Sequence, residues 1–307
     1  MNSTLYPKFT LTALAFAALG ICAPAHAAHK RALLVGVHAY AYAHGTTGPF
    51  VDLGAQADID LIRKTLIDKY GFAPADIVTL TTPTQTTKAS ILRNFRSVLI
   101  DKTHPGDILY FHFSGYGSQV ADIDDPSGVD QTFVPSDWTA DGSTDIREPV
   151  VDGLIADAVG KHPATFLLTF DAAHTGSGPG VGRGVDFEAR FGHPPVKAPM
   201  RSMRGARMML RGARMMLRGG GPKHGFVRID ACQDGQTDIE TQNAGHPVGR
   251  LSLLLAQALR KAAPTATYRD IFDQIDIAMR HGHPSQNPVI DGDLDSKVFN
   301  GAGTNKT

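Results

Sequence analysis

Short apolar runs alternate along this chain with longer stretches whose apolar residues recur at helical spacing. "RALLVGV" (Arg31 to Val37) is short, apolar and rich in β-formers, the signature of a buried strand. "DLGAQADIDLIRKTLIDKYG" then places Leu, Ile and Ala on one helical face and stops at Gly71. The rhythm repeats. Strands are expected at Asp76–Thr81, Asp107–Ser114, Thr165–Asp171 and Gly225–Ala231. Helices are expected at Thr87–Lys102 (with Thr87 as cap), Asp152–Gly160, Val248–Ala262 and Tyr268–Gly282. Such alternation predicts an α/β fold: a mostly parallel central sheet covered on both faces, a three-layer α/β/α sandwich. In sheets of this kind functional groups collect in loops at the carboxyl ends of strands. "FSGYGSQ" (Phe113 to Gln119) and "FDAAHTG" (Phe170 to Gly176) both lie there.

The 307 residues suffice for one large domain or two small ones. The first 27 read as a cleavable signal peptide: Lys8, the apolar "LTALAFAALGICAPA", then the small-residue site "AHA" at Ala25 to Ala27. The mature protein is therefore expected to begin near Ala28 and to be secreted or periplasmic. Cleavage removes Cys22 and leaves Cys232 as the single thiol, so no internal disulfide is available.

Formal charge sums to zero, but unevenly. Between Ser177 and His224 there are ten Lys/Arg against two Asp/Glu, and the rest of the mature chain carries nine more acids than bases. This segment holds a tandem repeat, "RGARMML" at Arg204 to Leu210 and again at Arg211 to Leu217. Two copies cannot build a solenoid. The segment is expected to be an exposed basic, glycine-rich loop over about 177–224, dividing a larger portion (about 30–176) from a smaller one (about 225–300), with a tail at 301–307. Residues 203–218 could serve as a contact for a partner or an anionic membrane, although a glycine in each copy weakens any helix there. No aromatic residues interleave with the arginines, which argues against single-stranded nucleic acid.

At this point the chain resembles the caspase-like cysteine peptidases, and in particular their metacaspase and orthocaspase branch. The likeness rests on "RALLVGVHAY", "LGAQADI", "GDILYFHFSGYGSQ", "DQTFVPSDW", "FLLTFDAAHTGSG", "RIDACQDGQTDIE" and "SQNPVIDGD", in that family's order over about Lys30 to Gly292. The resemblance implies a His general base in the turn after the third strand and a Cys nucleophile in the turn after the fourth. Here those places hold Tyr116 and Ala173, 57 residues apart. An alanine methyl has no lone pair with which to attack a carbonyl, and a free tyrosine, with a pKa of about 10, is a poor base near neutrality. The expectation is a pseudopeptidase that binds without cleaving.

Alternatives remain at the level of sequence. Cys232 follows a predicted strand and could act as a displaced nucleophile in a weakly active endopeptidase, or be a small core residue. His174, Thr175 and Ser177 are weaker candidates, and His112 reads as a packed strand histidine. The resemblance further implies a pocket for Arg or Lys side chains at Asp58, Ser114 and Asp171, hence a basic peptide, a basic protein or an active relative as partner. No organic cofactor is implied. Calcium is an inherited possibility: Asp122, Asp124, Asp125 and Asp130 crowd one stretch, although the adjacent acid pair of calcium-dependent relatives is reduced to Asp152-Gly153.

Overall fold

The computed structural model of the chain describes residues 28–40, 52–121, 129–139, 141–172, 225–233, 236, 238–282 and 286–301. Its centre is a six-stranded sheet. In chain order the strands are β1 (Lys30–Gly36), β2 (Ile77–Leu80), β3 (Ile108–Ser114), β7 (Thr165–Asp171), β8 (Val227–Asp230) and β11 (Val289–Gly292). They lie side by side as β11-β8-β7-β3-β1-β2, all parallel except β11, which runs antiparallel along β8. β3 and β7 are central and buried along their whole length, which is why they read as unbroken apolar runs.

Alternation along these strands sorts the core into two layers. Ala32, Leu34, Tyr110, Leu167, Val227 and Ile229 face one way, against α1 (Ala55–Tyr70), α4 (Arg250–Lys261) and α5 (Tyr268–Gly282). Leu33, Val35, Leu109, Phe111, Phe166, Leu168 and Phe170 face the other way, against α2 (Lys88–Phe95) and α3 (Glu148–Val159). Thr87 caps α2 by accepting from the Ser90 amide at 3.3 Å, and α2 runs on into a π-helical stretch, Arg96–Asp101. Gly71 ends α1 in the left-handed region (φ 65°), where glycine carries no side-chain penalty.

Three features depart from the simple alternation. A small antiparallel sheet holds β4 (Gly117–Ala121), β5 (Val129–Phe133) and β6 (Ile146–Arg147). A hairpin joins β9 (Glu240–Asn243) to β10 (His246–Gly249). β11 closes the main sheet's edge. All are short and largely polar, so no apolar run announces them. The hairpin packs tightly on the start of α1: a Cβ at Gly54 would stand 2.0 Å from the Pro247 carbonyl oxygen, so only glycine permits the approach. The segment 173–224, including the Arg/Met repeat at 203–218, lies outside the described residues.

Candidate functional site

The site is assembled at the carboxyl ends of β3 and β7. Ser114 and Asp171 are direct neighbours in the parallel register, and His112 and Thr169 are the next pair on the same face. That face looks toward α1 and α4. Asp58, in the first turn of α1, reaches it from the side. The three residues expected to form a basic-side-chain pocket are therefore brought together, and all three are fully buried.

Their hydrogen bonds say what they do locally. Asp58 accepts from the Ser114 hydroxyl at 2.6 Å with one oxygen and from the Gly249 amide at 2.7 Å with the other. Asp171 accepts from the Ser252 amide at 2.8 Å and from the Ser252 hydroxyl. Gly249 is the N-cap of α4 and has no side chain to close the helix. The first amides of a helix have no intrahelical acceptor, and the helix dipole makes that end favourable for anions. Two carboxylates contributed from elsewhere in the chain thus perform the capping that α4 cannot do for itself.

Beneath them lies a buried polar chain. The Ser252 hydroxyl stands 3.2 Å from His112 Nε2, His112 Nδ1 is 2.7 Å from Thr169 Oγ1, and Thr169 Oγ1 is 2.8 Å from the Tyr110 hydroxyl. Burial pushes the Tyr110 phenol far above its usual range, and the nearby Tyr268 and Asp171 add to that against the opposing hydrogen bond from Thr169. Tyr110 therefore stays neutral. His112 is a linked core histidine, as its strand position suggests.

The turn after β3 is held by a different set of contacts. The Tyr116 amide donates to the Tyr40 hydroxyl at 2.8 Å, and the two rings meet edge-on with centroids 5.2 Å apart. The Tyr116 side chain packs among Leu53, Ala55, Val134 and Trp138 and is only 4% exposed. The Val134 amide donates to the Tyr116 carbonyl at 3.0 Å, tying the turn to the end of β5. Tyr116 thus fills an aromatic cluster in the turn after β3.

Ala173, His174, Thr175 and Ser177 lie outside the described residues; the strand end is described as far as the buried Ala172. Cys232 sits just past β8, next to Ala231, whose amide donates to the Phe170 carbonyl at 2.9 Å. The thiol is therefore beside the end of β7, but it is buried and donates to the Gln236 carbonyl at 3.4 Å. Among the acids considered for calcium, Asp122, Asp124 and Asp125 lie outside the described residues. Asp130 is on β5 and not in a loop, and its carboxylate pairs with Arg147 at 2.6 Å. No group of three His, Cys, Asp or Glu is placed to hold a metal among the described residues.

Ser252 and Gly249 are the site residues that reading the sequence missed. One signal was available. The helix beginning at Arg250 is preceded by glycine, with no Ser, Thr, Asp or Asn at its cap, so its amides had to find acceptors elsewhere.

With the geometry in place, the chain can be set beside known proteins. Residues 30–178 match the metacaspase, peptidase C14 domain family. Metacaspase-1 of Cryptococcus neoformans var. neoformans is 28% identical over 302 residues, covering 85% of this chain and 62% of that protein. Metacaspase-7 of Arabidopsis thaliana is 31% identical over 155 residues, 48% of this chain and 35% of that one. The chain thus spans about three fifths of the fungal relative and about a third of the plant one. The crystal structure of protein GSU0716 from Geobacter sulfurreducens shares the fold, with a TM-score of 0.58 and 22% identity over 88% of this chain and 98% of that one. The sheet order and these matches agree: residues 30–178 carry a caspase-like domain of the metacaspase, peptidase C14 type.

Proposed function

We propose that this protein is an exported pseudopeptidase, a caspase-like domain that binds basic peptide segments or a family partner without cutting them. The observation that carries the reading is the pair of replacements at the dyad positions, Tyr116 and Ala173. Tyr116 is packed into an aromatic cluster, where its side chain serves the core. Alanine at 173 offers no nucleophile. The buried thiol of Cys232 favours a packing role over attack on a substrate. Basic ligands are favoured because the acidic residue types that the family uses in its pocket persist at Asp58 and Asp171 and converge with Ser114.

The test uses purified mature protein. A panel of fluorogenic Arg- and Lys-ended peptides, with and without Ca²⁺, should show no turnover, while a non-cleavable basic peptide should bind and its uncharged analogue should not. Turnover abolished by Cys232→Ala would overturn the reading and identify a relocated nucleophile. Failure of both binding and turnover would remove the basic-peptide part and turn attention to residues 203–218.

A further inference from the structure

The opposite face of the same strand end carries a second charged cluster. Arg228, on β8, is buried beneath α3 with its side chain only 6% exposed. Its Nη1 is 2.8 Å from Glu148 and 3.9 Å from Asp152, both on α3. Its Nε lies 2.9 Å from Asp230 on its own strand. Burial alone would lower the proton affinity of the guanidinium, but the charges of Asp230, Glu148 and Asp152 reverse this, so it stays protonated. The guanidinium carbon also lies 4.7 Å from the centroid of the Phe170 ring. Phe170 in turn stacks on Phe133, with centroids 4.7 Å apart and planes 23° from parallel. Phe170 precedes Asp171, and Phe133 is paired with Gly117, the residue after Tyr116. One cation therefore underlies the end of β7 and, through Phe133, the end of β5, which pairs with the strand that leaves the Tyr116 turn.

Family resemblance implies calcium near an acid pair in this region, and the residues present do not fit it. The single acid left of that pair, Asp152, is turned toward a guanidinium, and Glu148 and Asp230 are held by the same group. Spread around the Arg228 fork, these oxygens do not form a metal-ligating group. We infer that Arg228 is a built-in cation: its guanidinium supplies the positive charge that this carboxylate cluster requires and positions the ends of β7 and β5 without a metal ion. Arg228 is thus a positioning residue, and the inference stands whether or not the protein proves to bind basic peptides. Guanidinium suits the task because it presents several donors in a rigid plane and stacks on aromatic faces.

The experiment follows the unfolding midpoint of full-length mature protein in EDTA and in millimolar CaCl₂. It compares the native chain, Glu148→Gln, Arg228→Ser and the double variant. Arg228→Ser should lower the midpoint by roughly 5 to 10 °C in EDTA, because it leaves buried carboxylates facing one another. Calcium should restore part of that loss, to a greater extent than any shift it gives the native chain, and adding Glu148→Gln should abolish the restoration. In the native background, any calcium response should be the same with and without Glu148→Gln. A native calcium response that Glu148→Gln removes would overturn the inference, since metal would then be using the cluster despite Arg228. So would an Arg228→Ser protein that responds to calcium no more than the native one. If Arg228→Ser does not accumulate as folded protein, the native and Glu148→Gln pair decides the matter alone.

Discussion

Asp171→Ala separates two roles that the same carboxylate could have. If Asp171 were chiefly a ligand-facing acid, its removal would relieve a buried charge and leave stability unchanged or improved. The geometry argues otherwise. Asp171 accepts from both the amide and the hydroxyl of Ser252, in the first turn of α4, and all the atoms involved are buried. Truncation leaves two donors facing a gap that water cannot readily fill, at about 1–3 kcal/mol each. It also removes an anion from a helix N-terminus, worth up to about 2 kcal/mol. Against this stands the relief of desolvating a carboxylate, several kcal/mol in unfavourable settings. Because the Ser252 amide is fixed by the helix and cannot turn to another acceptor, the loss wins, and the net is expected to be about 3 kcal/mol. For a domain of this size that is a fall in midpoint of roughly 5 to 10 °C. Asp171→Asn keeps a carbonyl acceptor for the Ser252 amide and should lose about half as much. Denaturant unfolding of the three proteins gives the answer. A stable Asp171→Ala protein that had lost only peptide binding would refute the capping assignment.

Asp145 is buried and accepts from the Thr132 hydroxyl at 2.6 Å, and burial pushes its carboxyl up to about 6, against the opposing pull of Thr132 and Lys88. A carboxyl with a raised folded value weakens the fold above that pH, and the penalty disappears as pH falls toward its unfolded value near 4. Asp145→Asn should therefore add about 2 kcal/mol at pH 7.5 and almost nothing at pH 4 by urea unfolding; an equal effect at both would show that desolvation is not the cause. Gly54→Ala drives a methyl group into the Pro247 carbonyl and should destabilise by about 3 kcal/mol or more, which thermal unfolding would register as a collapse of the midpoint. Tyr116→His combined with Ala173→Cys should confer turnover of Arg- or Lys-ended peptides, whereas either change alone should not, because base and nucleophile act as a unit. A folded but silent double variant would mean that the scaffold has lost more than its dyad.

The main sheet was legible because its strands are buried on both faces and its helices are amphipathic. "ILYFHFS" and "TFLLTFD" leave little choice but central strands. β4, β9 and β11 were not legible, because "GSQVA", "ETQN" and "VIDG" carry no apolar periodicity and are fixed by tertiary pairing. At the site, the family resemblance was enough to name Asp58, Ser114 and Asp171, which the fold brings together. It was not enough to find Ser252, which lies 81 residues from Asp171 and 140 from His112, or to reveal that Arg228 would meet Glu148 across 80 residues. Contacts at such separations follow from topology, and a single sequence states topology only through its motifs.

The two faces of the β7 end are stitched by opposite arrangements of charge. Toward α4, the chain before residue 173 supplies the anions, Asp58 and Asp171, and the chain after residue 224 supplies the donors, Gly249 and Ser252. Toward α3, the chain after 224 supplies the cation, Arg228, and the chain before 173 supplies carboxylates, Glu148 and Asp152. Each face therefore joins the two parts of the chain by groups that are costly to leave buried and unpaired. Asp58 and Asp171 are engaged with a helix end, and Tyr116 fills an aromatic cluster in the turn after β3.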